Sequence, residues 1–287
     1  MVTTDINEAE AYATASVKRA HTTFYWAMRI LGPEKRSAMY ALYAFCRIVD
    51  DIADNPGEVS DKQARLQFWR KEIAGTFAGH PSGPVGRALG LPCERYGLRQ
   101  TDFLAIIDGM EMDVGADQGR VRMVDVAELE LYCDRVAGAV GRLSCQVFGL
   151  DADSGDRLAK SLGRALQLTN ILRDLREDAE LDRLYLPLDM LKRHGIMGEP
   201  ADVLGAPGLS SVCDEVVAMA EKYFAEATAI LLELPRAKVR PALIMMQMYK
   251  PILRRLQRRG WTDLGKSVRL SRLARLAIAL RYGFLGL

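Results

Sequence analysis

"YAFCRIVDDIADNPG", Tyr43 to Gly57, ends an apolar run with three acids, Asp50, Asp51 and Asp54, beside Arg47. At about 100° per residue, Tyr43, Arg47, Asp50 and Asp54 stand at i, i+4, i+7 and i+11 and share one helical face. Met39, Leu42, Phe45, Ile48, Val49 and Ile52 cover the remaining faces, so the helix has apolar surface enough to be buried in a bundle. A carboxylate turned into a bundle needs a cationic partner. Arg47 offsets one acid, not two. Pro33, after Gly32, supplies the first helical residue, and "NPG" stops the helix after Asp54.

A second stripe lies about 120 residues further on, in "GRALQLTNILRDLRED". Gln167, Asn170, Asp174 and Asp178 again fall on one face, flanked by Arg173 and Arg176. Acids four residues apart repel by roughly 0.2 to 0.5 kcal/mol in an isolated helix, so two such pairs ask for positive charge between them. A few carboxylates plus an amide carbonyl suit Mg²⁺, which keeps water and is commonly shared with phosphate oxygens. Arginine then takes the remaining phosphate charge. The residues read as a site for a diphosphate held by magnesium.

The rest of the 287-residue chain is helical in period. Ser60 and Gln63 read as a capping box for the helix ending at Phe77. Further helices are expected over Thr101–Asp117, Asp125–Phe148, Asp153–Asp178, Ser210–Glu233, Pro235–Arg259 and Thr262–Tyr282. No alternating strand pattern, fixed-period repeat or long linker appears, so one all-α domain over residues 1–287 is expected. Gly138 and Gly141 read as sites of close helix contact, and the Met-rich "ALIMMQMY" as core that can also line a lipid tunnel.

Lys plus Arg (39) nearly balances Asp plus Glu (37), which gives no whole-chain field toward nucleic acid. The basic residues gather at the C-terminus, where Leu270, Leu273, Leu276 and Leu280 alternate with Lys266, Arg269, Arg272 and Arg275. That pattern suits an amphipathic helix docking on an anionic membrane surface. Cys46, Cys93, Cys133, Cys145 and Cys213 are scattered without metal or disulfide spacing, as in a reducing compartment, and no signal peptide or spanning segment is evident. A cytoplasmic protein, peripheral at the inner membrane face, is expected.

"AMYALYAFCRIVDDIAD", "YCDRVAGAVGRLSCQVFG" and "GRALQLTNILRDLREDAELDRLYLP" resemble the three signature regions of the squalene and phytoene synthase family, over nearly the whole chain. The resemblance implies a single-domain isoprenoid synthase bundle around a central cavity. It implies Mg²⁺ ligands at Asp50, Asp54, Asn170, Asp174 and Asp178, and diphosphate contacts from Tyr43, Arg47, Gln167 and Arg173. His21, Thr22 and Thr23 would line the diphosphate end, Tyr132 would stand at the reacting centre, and Tyr249 and Arg269 would close it from C-terminal helices.

"FLAIIDGMEMDV" and the stretch from Phe24 to Arg47 resemble the bacterial branch of the family serving hopanoid synthesis. The activity implied is head-to-head joining of two farnesyl diphosphates to a cyclopropyl diphosphate, without NADPH. Two alternatives share the metal chemistry: joining two C20 donors to phytoene, or complete NADPH-dependent squalene synthesis. A third, from a different class, is a non-catalytic helical adaptor that binds divalent ions or basic partners on its acidic stripes. Other enzymes of the same pathway are candidate partners.

Overall fold

A computed structural model describes residues 23–115 and 120–283. The chain enters through α1 (Thr23–Arg29) and α2 (Pro33–Asp54), the helix of the first stripe. Pro33 opens α2, and the turn at Asn55 closes it, as the sequence predicts. Helices α3 (Val59–Phe77), α4 (Pro84–Tyr96) and α5 (Gln100–Val114) pack against α2 and around Phe45, whose ring meets Trp69 and Phe103 edge-on. Helix α4 escapes the sequence reading. Pro84 starts it, Gly97 in the left-handed region (φ 60°) ends it, and the buried Glu72 carboxylate accepts from Ser82 N and Gly83 N just ahead of its first turn.

The capping box at Ser60 does not form. Helix α3 begins at Val59 with Glu58 as its N-cap, two residues before the expected cap, which leaves Ser60 inside the first turn.

Strand β1 (Val121–Arg122) leads to α6 (Val126–Cys133), a π-helical turn (Asp134–Gly138) and α7 (Ala139–Phe148). The predicted helix over Asp125–Phe148 is therefore continuous but widened by one turn. The widening coincides with a close crossing, since a Cβ on Gly163 would lie 2.9 Å from Gly138 N. A Cβ on Gly141 would come equally near that of Ala159, so both glycines mark tight helix contact. Helix α8 (Ala152–Glu180) is the long central helix of the second stripe, capped by the Asp151 carboxylate on Ser154 N.

Strand β2 (Arg183–Leu184) pairs in parallel with β1, two residues each, a contact too short for a sequence pattern to announce. Short helices α9 (Leu188–Arg193) and α10 (Pro200–Gly205) precede α11 (Leu209–Glu233), which packs along α8. Helix α12 (Arg236–Arg259) crosses α8 and α1, and α13 (Arg272–Gly283) lies on the outer side of α12 and α1.

The last helix starts ten residues later than its periodicity predicts. Residues 262–271 are irregular, and arginine side chains hold their backbone: Arg255 donates to Arg269 O and Arg259 to Lys266 O. Leu270 is buried in this segment, Leu276 is half-buried, and Leu273 and Leu280 face outward. Two apolar clusters, one on α2–α5 and one on α8, α11 and α12, share Phe24 and Val136. Among the described residues no helix is long and apolar enough to cross a membrane.

Candidate active site

Between the two clusters lies a cavity of about 650 Å³, within the range usual for small-molecule sites. Both stripes open onto it: Tyr43, Arg47, Asp50 and Asp54 from α2, and Gln167, Asn170, Arg173 and Asp174 from α8. Asp178 stands just beyond the lining, where its carboxyl feels Asp174, Asp113 and Asp54. Most of the remaining wall is apolar, including Phe24, Met28, Met39, Phe148, Leu162 and Met245, with Asp113, Tyr132, Ser144 and Tyr249 as its polar members. The Met-rich segment is thus divided. Ala242, Met245 and Tyr249 face the cavity, while Ile244, Met246 and Met248 are buried in the core.

The arginines hold the acids. Arg47 reaches Asp50 at 3.0 Å and Asp51 at 2.5 Å, which explains the third acid of the opening stretch: it belongs to Arg47 and not to the stripe. Arg173 grips Asp174 through two bonds of 2.7 and 2.5 Å. Even so, burial first and the neighbouring Asp54 second push the Asp50 carboxyl up to about 7, against the pull of Arg47. Burial and Asp174 likewise push Asp178 up to about 8. Burial leads at both positions, and the carboxylates crowded around them add a surplus of negative charge.

A divalent cation fits that surplus. The buried Asn170 Oδ1 has no hydrogen-bond partner, although its Nδ2 donates to Gln167, so a hard oxygen ligand is left open on the cavity wall. Among the described residues no three His, Cys, Asp or Glu side chains converge into a complete metal site. An ion held by these few oxygens would complete its shell with water and phosphate oxygens, as Mg²⁺ commonly does.

Tyr132 lines the cavity from α6, and Tyr249 does so from α12, beside Arg173 and Asn170. Arg269 does not join them. It is exposed in the irregular segment before α13, within electrostatic reach of Glu177 on α8. His21 and Thr22 lie outside the described residues, and of Thr23 only its place at the start of α1 is described.

Three residues of the site, Arg183, Asp113 and Tyr185, escape the sequence reading. Arg183, on β2, is 8 % exposed and donates to Asp54 Oδ1 at 2.7 Å and to Ala53 O. Asp113, at the end of α5, accepts from Tyr132 at 3.1 Å and from Tyr185 at 2.6 Å. The signals are the last of three acids in "FLAIIDGMEMDV" and the Arg-x-Tyr in "DRLYLP" that follows the second stripe.

An all-α bundle whose two facing helices turn acids, amides and arginines into one apolar cavity is an isoprenoid synthase fold. A dehydrosqualene synthase solved with ligand superposes on 98 % of the chain and of itself, with a TM-score of 0.82 and 25 % identity. A squalene synthase from Alicyclobacillus acidocaldarius does so over 90 % of this chain and 95 % of its own, with a TM-score of 0.77 and 26 % identity. The family model for squalene/phytoene synthase matches residues 17–274, and the chain belongs to that family. Presqualene diphosphate synthase of Zymomonas mobilis is 44 % identical over 96 % of this chain and 94 % of its own. That of Rhodopseudomonas palustris is 46 % identical over 91 % and 92 %. A phytoene synthase of Thermus thermophilus is 35 % identical over 97 % and 93 %.

Proposed function

We infer that this chain is a prenyltransferase that joins two farnesyl diphosphates head to head, releasing one diphosphate and giving presqualene diphosphate for hopanoid and squalene synthesis. The observation that carries this reading is the pair of acidic stripes meeting over a single apolar cavity. Identity of 44–46 % to presqualene diphosphate synthases, against 35 % to a phytoene synthase, supports C15 over C20 donors. Residues 1–287 act as one domain.

Asp50, Asp54, Asn170, Asp174 and Asp178 are the side chains that would hold Mg²⁺, with the diphosphate as shared ligand. When bound, the metal neutralises diphosphate charge and so eases its departure. Arg47 and Arg173 turn from their acids to the phosphate oxygens, and Tyr43, Gln167 and Tyr249 orient them. The apolar wall keeps water from the allylic cation left behind. The double bond of the second donor attacks that cation, and loss of one proton closes the cyclopropane. No hydride enters, so NADPH is not required. Supplying C15 or C20 diphosphates with Mg²⁺ and identifying the product tests the reading: a C30 cyclopropyl diphosphate from the C15 donor supports it, and phytoene from the C20 donor alone overturns it.

The enzyme works in the cytoplasm and touches the inner membrane face through α13. Leu273 and Leu280, 79 % and 47 % exposed, lie within about 20° of one another on that helix, and the exposed Arg272 and Arg281 stand about 100° and 80° to either side. Apolar side chains flanked by arginine suit an anionic lipid surface. The protein is expected to sediment with anionic vesicles at low salt and to be released by about 0.5 M salt, where charge is screened within a few ångströms. Recovery wholly in the supernatant at low salt rules this contact out.

A further inference from the structure

Behind Tyr132 stands a carboxylate that the proposed chemistry has not yet used. Asp113 is 7 % exposed and lines the cavity at the point where Tyr132 does. Its two oxygens are occupied by phenols, Oδ2 by Tyr132 and Oδ1 by Tyr185, whose rings stack 4.8 Å apart. Arg183 is the cation acting on it, from its seat on Asp54. Burying an ionised carboxylate is costly, and two phenol hydrogen bonds offset only part of that cost. Burial accordingly pushes Asp113 up to about 6, which still leaves it ionised at neutral pH.

The arrangement settles which way the Tyr132 hydroxyl points. A phenol has one proton and two lone pairs. With the proton committed to Asp113 Oδ2, the Tyr132 oxygen presents a lone pair elsewhere, and its side chain borders the cavity. Tyr132 is therefore set to receive a proton there, not to give one.

We propose that Asp113 is the positioning residue for Tyr132 and the final acceptor of the proton lost when the cyclopropane closes. The step rests on the head-to-head reading above. After the second donor's double bond attacks, the cation lies on C3 of that donor. The C1–H bond of the first donor breaks, and its electron pair forms the C1–C3 bond of the ring. The proton passes to Tyr132 Oη as the phenol's own proton passes to Asp113 Oδ2. Tyr132 ends unchanged and Asp113 neutral, to be deprotonated by water as the product leaves. Tyr185, on the other carboxylate oxygen, holds Asp113 in register.

The test is steady-state turnover of farnesyl diphosphate by wild type, D113N, Y132F, the double variant and Y185F, with melting temperatures beside each. D113N is expected to lower kcat by about 10²-fold or more, the scale of a lost acid–base group, with KM within about twofold. The double variant should be no slower than Y132F alone, because both changes interrupt one relay. Donor deuterated at C1 should show a larger isotope effect in D113N than in wild type, which a merely structural role would not produce. Y185F should lose less than D113N. A D113N enzyme within about threefold of wild type, or losses that multiply in the double variant, would overturn the proposal. If D113N does not fold, Y185F decides: an unchanged kcat and isotope effect there assign Asp113 a structural role. Wild type that makes no cyclopropyl product refutes the head-to-head reading itself, whichever way the variants fall.

Discussion

Asp50→Asn and Asp174→Asn are each expected to lower turnover by at least about 10²-fold while the protein still melts cooperatively near the wild-type temperature. Each removes one charge from the set that would hold metal, and several kcal/mol of charge stabilisation corresponds to two or more decades in rate. The fold loses little. The Asp50 side chain lines the cavity, its carboxyl is already pushed up to about 7, and Arg47 keeps Asp51. An amide at position 50 therefore relieves like-charge repulsion without opening a void. Asp174 costs somewhat more, because its bidentate grip on Arg173 is lost, though an asparagine oxygen retains one bond. Diphosphate release and thermal melting together check the prediction. Near wild-type rates in either variant would remove the metal reading of the stripes.

Gly163→Val is expected to lower the melting temperature by roughly 5 to 10 °C, with loss of turnover in the folded fraction. A Cβ at 163 would meet Gly138 N at 2.9 Å, and Ala137 C and Gly138 Cα at 3.0 Å, all of them backbone atoms that no rotamer can move aside. Overpacking typically costs about 1 to 3 kcal/mol, and a chain of this size shifts by about 2 to 4 °C per kcal/mol. The displaced element is the π-helical turn carrying Val136 and Ala137 on the cavity wall, so the strain reaches the site directly. Gly90→Ala is the control. Nothing lies within 4 Å of a Cβ there, and in a helix interior alanine is favoured over glycine. Equal melting of Gly163→Val and wild type would contradict the close crossing.

These two sites show what the sequence could and could not reveal. The stripes on α2 and α8 were legible because helical geometry alone fixes the angle between Tyr43, Arg47, Asp50 and Asp54, whatever the rest of the chain does. The close approach at Gly141 was legible for a similar reason, since glycine in a buried helix is poorly suited to anything else. Asp113 was not. Its meaning depends on Tyr132 and Tyr185, 19 and 72 residues away, and on the turn that brings β2 beside β1. Arg183 was hidden in the same way, as its partner Asp54 lies 129 residues earlier. The late start of α13 was missed because arginine side chains, not a helix, satisfy the backbone before it, and periodicity does not register that substitution. Tertiary partners, rather than local pattern, account for each of these gaps.

The most direct test of the central claim, that the stripes and cavity perform one ionisation and one ring closure, is product analysis after incubation with farnesyl diphosphate and Mg²⁺, with and without NADPH. Cyclopropane formation needs only departure of one diphosphate and loss of one proton, whereas squalene needs a second ionisation and a hydride placed against the cation. The expected result is presqualene diphosphate, with one diphosphate released per product, unchanged by NADPH. Squalene appearing when NADPH is added would contradict it.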